Sequence, residues 1–459
     1  MGVSGRDNIL MNTTFSLFAD AKERIGASSA KIMTVGLGYV GLPLALTIHE
    51  SGFETVGFDI DASRVERIND GEQVISYFSE NRISDAVASG KFRATTDAGE
   101  ISNADVVLIC VPTPLSDKRE PDLAYVNTAA KAIADQLRPG QLVVLESTVW
   151  PGATANVIRP ILESSGLKSG RDFFLGFSPE REDPGNETHN TRNIPKVVGA
   201  DDDASRELLE MFYSKFVDRA VPVGSSAAAE AVKLAENSFR TVNIALVNEM
   251  KMAFDAMGVD VWEVIDAAAT KPFGYMPFYP GPGIGGDCIP VSPAYLSWRA
   301  RDVGSQTPII DLARSNNEMA PDGIAVRVAA GLKSKSSVAV GDSKILILGV
   351  SYKRDVEDTR VSPALDVLKS LESMGAQCDY HDPFFPEMPQ TRDYPELTGR
   401  KSADLSAENV QRYDAVVVTT DHSGVDYKLV ADAARLVFDT RNVFARAGIK
   451  TPSDNLVKI

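Results

Sequence analysis

The stretch KIMTVGLGYVGLPLALTIHESGFETVGFD, residues 31–59, decides the fold of the first part of the chain. It reads as a short apolar strand at 31–35, a glycine turn, a helix that ends near Gly52 and a second apolar strand at 54–58. This order is a βαβ unit, the usual opening of a doubly wound parallel sheet. The turn follows the pattern G-x-G-x-x-G, with its glycines at Gly36, Gly38 and Gly41.

Each glycine of this fingerprint has a physical reason. Gly36 permits a tight turn, Gly38 lets backbone amides approach a pyrophosphate, and Gly41 allows close packing of the helix whose N-terminus attracts the phosphates. Asp59 ends the second strand, where a carboxylate binds ribose hydroxyls and repels a 2′-phosphate. The sequence therefore predicts a site for NAD rather than NADP; the alternative is an ordinary glycine turn followed by a surface aspartate.

Outward from this unit, the periodicity predicts two α/β parts with a helical part between them. Buried strands are expected at 104–111 and 141–145, and a long helix at 225–258. That helix is apolar around much of its circumference, which favours contact with another subunit as well as with its own chain. Strand signals return at 344–348, 377–380, 415–419 and 436–438. We therefore predict an α/β fold with two Rossmann-like parallel-sheet domains, joined by a helical middle domain with a long central helix.

The composition disfavours several classes of protein. A formal net charge of −16 disfavours nucleic acid as a partner, because phosphate binding needs clustered Lys and Arg. No apolar run approaches the roughly 20 residues that span a bilayer, and charged residues interrupt the first thirty positions, so we expect a cytoplasmic protein without a signal peptide. Three cysteines without a CxxC pattern and four histidines without HExxH predict neither disulfides nor a metal site.

Seven ordered motifs between residues 31 and 445 resemble the UDP-glucose/GDP-mannose dehydrogenase family, and most closely its UDP-N-acetylglucosamine 6-dehydrogenase branch. They are GLGYVGLPLA at 36–45, CVPTP at 110–114, ESTVWPG at 146–152, FSPEREDPGN at 177–186, EAVKLAEN at 230–237, FYPGPGIGGDCIP at 278–290 and GVSYKRDVEDTR at 349–360. The resemblance implies oxidation of the C6 alcohol of a nucleotide sugar to a carboxylate with two NAD, for polysaccharide synthesis, by a homodimer or larger homo-oligomer.

The resemblance also implies a substrate and a division into domains. Arg181 and the DPGN stretch at 183–186 favour the N-acetylhexosamine branch, so UDP-N-acetylglucosamine is the expected UDP-sugar, with UDP-N-acetylmannosamine and UDP-glucose as alternatives. The expected domains are a loose N-terminal extension at 1–30, an NAD-binding Rossmann domain at 31–213, a helical middle and dimerisation domain at 214–325 and a nucleotide-sugar-binding α/β domain at 326–459.

Cys288, inside the glycine loop at 281–290, is the expected nucleophile. After the first hydride transfer yields an aldehyde, a second hydride can leave only from a tetrahedral adduct, which a thiolate forms by attacking the carbonyl. The resulting thiohemiacetal loses its hydride and becomes a thioester that water hydrolyses. A small buried hydrophobe is the alternative for a free cysteine, but glycines around it favour close approach of a ligand.

The other roles come from the resemblance. Lys233 would stabilise charge on the reacting oxygen, and Asn237 would orient that oxygen or a water. Glu180 would work with water as acid or base near C6, and Thr148 would hold the same water. The cofactor residues are Gly36, Gly38, Tyr39, Val40, Gly41, Asp59, Arg64, Pro112, Thr113, Thr148 and Arg360, the last from its own or a neighbouring subunit. The substrate residues are Glu180, Arg181, Lys233, Asn237, Tyr279, Gly283, Gly285, Tyr352 and Lys353.

One departure from the family concerns the loop of Cys288. Where the family usually reads GGHCIPxDP, this chain has Asp287 in place of His and Ser292 in place of a catalytic Asp. Ser292 can cap the following helix as Asp does, but a neutral hydroxyl cannot act as a carboxylate base. An active enzyme with a slow acyl step, a catalytically impaired nucleotide-sugar binder and a β-hydroxyacid dehydrogenase are therefore the alternatives. The last explains neither Cys288 nor the C-terminal α/β domain.

Overall fold

The computed structural model describes residues 5–75, 81–183, 186, 188–286, 289–450 and 455–459. The chain forms two compact units, which are Met1–Glu236 with Ala294–Ser305, and Asn237–Pro293 with Gln306–Ile459. No helix in the described ranges is long and apolar enough to cross a membrane.

The first unit is built on an eight-stranded sheet. Its strands are β1 (Lys31–Val35), β2 (Glu54–Phe58), β3 (Phe92–Thr95), β4 (Val106–Ile109), β5 (Leu142–Leu145), β6 (Phe174–Phe177), β7 (Lys196–Ala200) and β8 (Ala220–Val223). The order across the sheet is β3-β2-β1-β4-β5-β6-β7-β8. The strands from β1 to β6 are parallel, β7 runs antiparallel to β6, and β8 is parallel to β7. This order reverses between β1 and β4, as in dinucleotide-binding sheets.

Helices cover this sheet, and two of them continue into the second unit. They are α1 (Gly5–Gly26), α2 (Gly41–Glu50), α3 (Ala62–Asn69), α4 (Arg82–Ala88), α5 (Ala124–Gln136), α6 (Arg159–Glu163), α7 (Asp203–Tyr213), and, shared with the second unit, α8 (Ser226–Ala256) and α10 (Ser292–Asp302). The central strands β4 and β5 read VVLI and LVVL and are buried throughout. Such apolar runs are typical of parallel strands with helices on both faces.

The N-terminal segment departs from the prediction of a loose extension. Phe18, Ala21 and Ile25 recur at helical spacing on α1, and the latter two are buried in the cluster that also holds β1 and α7. The Phe18 ring meets Phe174 edge to face, with centroids 6.2 Å apart, and Arg24 binds Asp105 at 2.6 Å. The prediction is therefore wrong for the described part of this segment, because an apolar stripe fastens it to the core.

The second unit contains a five-stranded parallel sheet. Its strands are β9 (Lys344–Leu348), β10 (Gln377–His381), β11 (Ala415–Val418), β12 (Val437–Asp439) and β13 (Leu456–Lys458), in the order β10-β9-β11-β12-β13. Its own helices are α9 (Val261–Ala269), α11 (Pro308–Ser336), α12 (Pro363–Ser373), α13 (Ala407–Val410), α14 (Tyr427–Ala433) and α15 (Val443–Arg446). The predicted fold class, two parallel α/β sheets with a helical region between them in sequence, is confirmed. The predicted boundary at residue 325 falls inside α11.

Candidate active site

Loops that follow four parallel strands carry most of the predicted cofactor residues. Gly36 follows β1, Pro112 and Thr113 lie beyond β4, Thr148 lies beyond β5, and Glu180 lies beyond β6. Because the carboxyl ends of parallel strands meet at one edge of a sheet, the fold gathers these loops at that edge. This is where open α/β sheets bind their ligands.

The fingerprint glycines differ in what surrounds them. Gly36 has φ +93°, and a Cβ there would come within 3.0 Å of the carbonyl oxygen of Cys110. A Cβ on Gly41 would collide with the carbonyl oxygen of Gly36, whereas one on Gly38 would meet nothing within 4 Å. Packing therefore requires the outer two glycines, and the open space at Gly38 fits a pyrophosphate that approaches the turn. Tyr39 is exposed and Val40 precedes α2 at the same turn.

Asp59 joins the glycine turn to the end of β2. Its side chain is 9% exposed, its Oδ2 accepts a hydrogen bond from the Leu37 amide at 2.8 Å, and its Oδ1 accepts one from the Asp61 amide at 3.0 Å. Arg64 Nη1 lies 3.7 Å from Asp59 Oδ2. The carboxylate is thus fixed where the fingerprint predicts the adenosine ribose, and it also holds the turn itself.

Replacing Asp59 with asparagine is expected to weaken NAD binding by about 10- to 100-fold, because charge-assisted hydrogen bonds are worth about 1.5–3 kcal/mol. An amide keeps one acceptor oxygen but places an NH₂ group where the second carboxylate oxygen stood. Isothermal titration calorimetry with NAD measures the change, and D70N, at an exposed aspartate of the same unit, is the control. Equal affinity of D59N and the parent chain would contradict the assignment of Asp59 to the cofactor.

Glu180 and Lys233 form a nearly buried ion pair in the first unit. Lys233 Nζ donates to the Glu180 carbonyl oxygen at 2.5 Å and lies 3.1 Å from Glu180 Oε2. The two side chains are 7% and 11% exposed. A fixed ammonium beside a fixed carboxylate can both stabilise an oxyanion and exchange a proton. The half-buried Thr148 lies in the loop after β5.

Arg181 is committed to partners within the first unit. Its guanidinium bonds Glu236 through Nε and Nη2 and donates from Nη1 to the carbonyl oxygen of Pro195 at 2.5 Å. Glu236 lies on α8, as does Lys233. Arg181 therefore fastens the loop of Glu180 to that helix, and its predicted contact with substrate stays a prediction.

Asn237 and Ser292 meet in the second unit. Asn237 Nδ2 donates to Ser292 Oγ at 2.9 Å, and both residues are buried. Ser292 is the first residue of α10. A hydroxyl at this position can accept the amide hydrogen as a carboxylate would, although it carries no negative charge. Cys288 and Asp287 lie outside the described residues.

The glycine loop packs closely against the segment that follows β9. A Cβ on Gly283 would lie 3.2 Å from Pro363, and one on Gly285 would lie 2.6 Å from Tyr352 and from the Val361 carbonyl oxygen. The Gly286 amide donates to the carbonyl oxygen of Arg360 at 3.2 Å. Side chains at these glycines would displace the loop, so the glycines are structural whatever else the loop binds.

The remaining predicted residues of this unit have partners of their own. Arg360 forms a bidentate pair with Asp358, with its Nη2 at 2.6 Å from Oδ2. The Tyr279 hydroxyl donates to Asp266 Oδ1 at 2.6 Å. Lys353 is half-buried. Their proposed contacts with cofactor or substrate stay predictions.

Sequence reasoning missed Arg441, which follows β12. Its Nε donates to the carbonyl oxygen of Thr419 at 2.9 Å, and a Cβ added to Gly281 would collide with its guanidinium. Burial lowers the pKa of Arg441, and no carboxylate in the described part of the chain lies within 4.0 Å of its guanidinium nitrogens, although its backbone amide donates to Asp439 Oδ1 at 2.9 Å. A half-buried cation beside the glycine loop suits a phosphate group. The signal available in the sequence was an arginine two residues after the strand β12.

A second missed feature is a buried charge cluster at the end of β5. Lys196 Nζ lies 2.6 Å from Glu146 Oε2, and the Tyr213 hydroxyl donates to Glu146 Oε1. Burial raises the pKa of Glu146, and Lys196 opposes that rise. Glu146 was read only as part of the motif ESTVWPG, although a carboxylate that directly follows the apolar run LVVL needs a buried partner.

Three family models match the chain along its length. They describe the NAD-binding domain (residues 30–217), the central domain (227–319) and the UDP-binding domain (346–446) of the UDP-glucose/GDP-mannose dehydrogenase family.

Curated and solved relatives agree with these models. A UDP-N-acetyl-D-mannosamine dehydrogenase of Pyrococcus horikoshii is 32% identical over 90% of this chain and 96% of its own. A UDP-N-acetyl-D-glucosamine 6-dehydrogenase of Pseudomonas aeruginosa is 33% identical over 86% and 90%. The solved structure of a UDP-D-ManNAc dehydrogenase from P. horikoshii superposes with a TM-score of 0.80 at 31% identity, over 92% of this chain and 96% of that one. The chain therefore belongs to the UDP-glucose/GDP-mannose dehydrogenase family, as an NAD-dependent enzyme that oxidises nucleotide sugars.

Proposed function

We propose that this protein oxidises the C6 alcohol of UDP-N-acetylglucosamine to the uronate in two NAD-dependent steps, for the synthesis of a surface polysaccharide. The observation that carries the proposal is the nearly buried pair of Glu180 and Lys233, which lies in the unit that holds the dinucleotide fingerprint. Such a pair supplies a base and an oxyanion partner, which alcohol oxidation requires.

The first oxidation needs removal of the hydroxyl proton. Glu180 accepts this proton through a water that Thr148 helps to hold, while the Lys233 ammonium stabilises the alkoxide. NAD, when bound, supplies the hydride acceptor for C6. Asp59 and the glycine turn at 36–41 orient the cofactor, and they position its adenosine half by hydrogen bonds rather than by charge on a 2′-phosphate.

The second oxidation runs through Cys288. Its thiolate attacks the aldehyde carbon, so a C–S bond forms, the C=O π bond breaks, and the oxygen takes a proton from water to become a thiohemiacetal hydroxyl that Asn237 orients. Loss of the hydroxyl proton and of a hydride from C6 leaves a thioester. Water then attacks the thioester carbon, the C–S bond breaks, and the products are the carboxylate and the free thiol.

The diphosphate of the substrate needs local positive charge in a chain of net charge −16. Arg441 supports this part of the proposal, because its guanidinium lies beside Gly281 and forms no ion pair with a carboxylate among the described residues. Lys353 and the amides of the glycine loop complete the proposed site, in which Tyr352 packs against Gly285.

We propose a homodimer or larger homo-oligomer as the working assembly. Four large apolar side chains along or just beyond α8 are at least 49% exposed: Phe239, Leu246, Met252 and Met257. A helix that is apolar outside its own core is typical of a subunit interface.

The test is the amount of NADH formed per sugar consumed, with UDP-N-acetylglucosamine, UDP-N-acetylmannosamine and UDP-glucose given separately with NAD. Two NADH per UDP-N-acetylglucosamine, and slower turnover of the other two, is the expected result. One named relative is a dehydrogenase of the manno epimer and the other of the gluco epimer. Full turnover of one of the other sugars alone would change the proposed substrate but not the proposed reaction.

Ser292 favours a second candidate function, a nucleotide-sugar binder with impaired catalysis. In that case NADH forms in a burst that stops, and intact mass spectrometry finds the acyl group on Cys288. The variant S292D, which returns a carboxylate beside Asn237, is then expected to restore turnover. Binding of the sugars without any NADH would also favour this candidate.

A further inference from the structure

A cavity lies next to Glu180 in the first unit. Three carboxyl groups and one ammonium group line it, together with the apolar side chains of Val40, Leu44 and Ile194. The charged groups are Glu146, Glu180, Glu182 and Lys196, and Arg181 also contributes to the wall. No step of the proposed reaction uses Glu182.

Two of the three carboxyl groups in this cavity have a counter-ion. Lys196 binds Glu146 at 2.6 Å, and Lys233 lies 3.1 Å from Glu180. Within the described part of the chain, no cation lies within 4.0 Å of the Glu182 carboxylate. Glu182 is tied to Glu180 by its backbone, because its amide donates to Glu180 Oε1. The Glu182 carboxyl group, two residues from the predicted base, therefore forms no ion pair among the described residues.

The surroundings of Glu182 favour its protonated form. Burial, and then the charge of Glu180, raise the pKa of Glu182 to about 7. Glu146, beyond β5, adds to the rise. The positive charges of Lys196 on β7 and Arg82 on α4 oppose it. A group that titrates near neutral pH can both take up and release a proton under working conditions. A cavity with several polar groups can also hold the ordered water that such a transfer uses.

We infer that Glu182 is the proton acceptor that returns Glu180 to its carboxylate form after each oxidation. This inference rests on the proposed function. Each hydride that leaves C6 is accompanied by one proton from a hydroxyl group, and Glu180 must lose that proton before it can act again. In the transfer, the O–H bond on Glu180 breaks as one forms on Glu182, which then releases the proton to solvent. Glu182 acts through Glu180: it receives the proton from Glu180 and does not contact the substrate.

The first test is independent of activity. Glutamine at residue 182 cannot ionise, so E182Q avoids the cost of a half-buried charge that the parent chain bears above pH 7. The melting temperature of E182Q relative to the parent chain is expected to rise by several degrees between pH 5 and pH 8. The folded pKa is raised, so the parent chain loses stability as the pH increases through this range. E210Q, at an exposed glutamate on α7, is the control. A difference that does not change with pH would overturn the inference.

The second test is the pH dependence of turnover. E182Q is expected to lower kcat at pH 7 by about 10-fold with KM unchanged, to remove the inflection near pH 7, and to regain activity in added imidazole, a soluble proton acceptor. Should E182Q fail to fold, E182D is expected to shift the inflection and respond to imidazole in the same way. An unchanged pH profile in an active variant would overturn the inference. An inactive parent chain would overturn the proposed function, and the melting temperatures would then still test the ionisation of Glu182.

Discussion

Replacing Cys288 with serine is expected to lower the rate of uronate formation by about 10³-fold or more, because nucleophile replacements in covalent catalysis cost at least that much. A serine hydroxyl is a poor nucleophile without an adjacent base, so the aldehyde would not be converted into the tetrahedral adduct from which the second hydride leaves. Mass spectrometry of the sugar measures uronate, and absorbance of NADH counts the hydrides. The variant should form at most one NADH per sugar.

The other two cysteines make a matched control possible. Burial raises the pKa of Cys378 to about 12 and that of Cys110 well above its ordinary value, so both stay thiols at neutral pH. C378S changes the same atom in the core of the second unit and is expected to keep two NADH per sugar. Two NADH per sugar from C288S would contradict covalent catalysis by this residue. It would indicate that the second hydride leaves from the hydrate of the aldehyde.

Most of the buried strands could be predicted from the sequence, but β6, which is buried throughout, was not predicted. The predictions 31–35, 54–58 and 344–348 coincide with β1, β2 and β9, because strands buried on both faces read as continuous apolar runs. Two elements that were not predicted have local causes. Strand β8 reads AVPV, and a proline is unusual in a strand interior. Helix α11 contains Pro321, which by local rules ends or kinks a helix.

Some residues of the candidate site could also be predicted from the sequence, and others could not. The glycine turn and Asp59 could be predicted, because the chemistry depends on residues within one βαβ unit. Partnerships over long separations could not. Arg181 and Glu236 are 55 residues apart, and Glu146 and Lys196 are 50 residues apart. Such pairs form only when the sheet brings distant segments together, so a pattern of residue types does not show which cation each carboxylate receives.

Replacing Lys196 with methionine is expected to lower the free energy of unfolding by roughly 3–5 kcal/mol, the usual cost of removing one partner from a buried ion pair. Lys196 is 8% exposed and Glu146 is fully buried, so the methionine would leave Glu146 as a buried carboxylate whose only polar side-chain partner among the described residues is the Tyr213 hydroxyl. Urea denaturation followed by circular dichroism measures the change. K168M is the control, since the pair of Lys168 with Glu163 is half exposed and such pairs contribute about 0–1 kcal/mol.

The same variant carries a prediction about pH. Burial raises the pKa of Glu146, and loss of Lys196 removes the main opposing influence, so the carboxyl group of K196M should take up a proton more readily. A folded-state pKa above the unfolded value means that stability is lost as the pH rises, so the deficit of K196M should be larger at pH 8 than at pH 5. The double variant E146Q/K196M should recover much of the loss at pH 8, because no unpaired charge remains buried. A deficit below about 1 kcal/mol at pH 8 would mean that the cluster is hydrated in solution, and the inference drawn for the adjoining cavity of Glu182 would weaken with it.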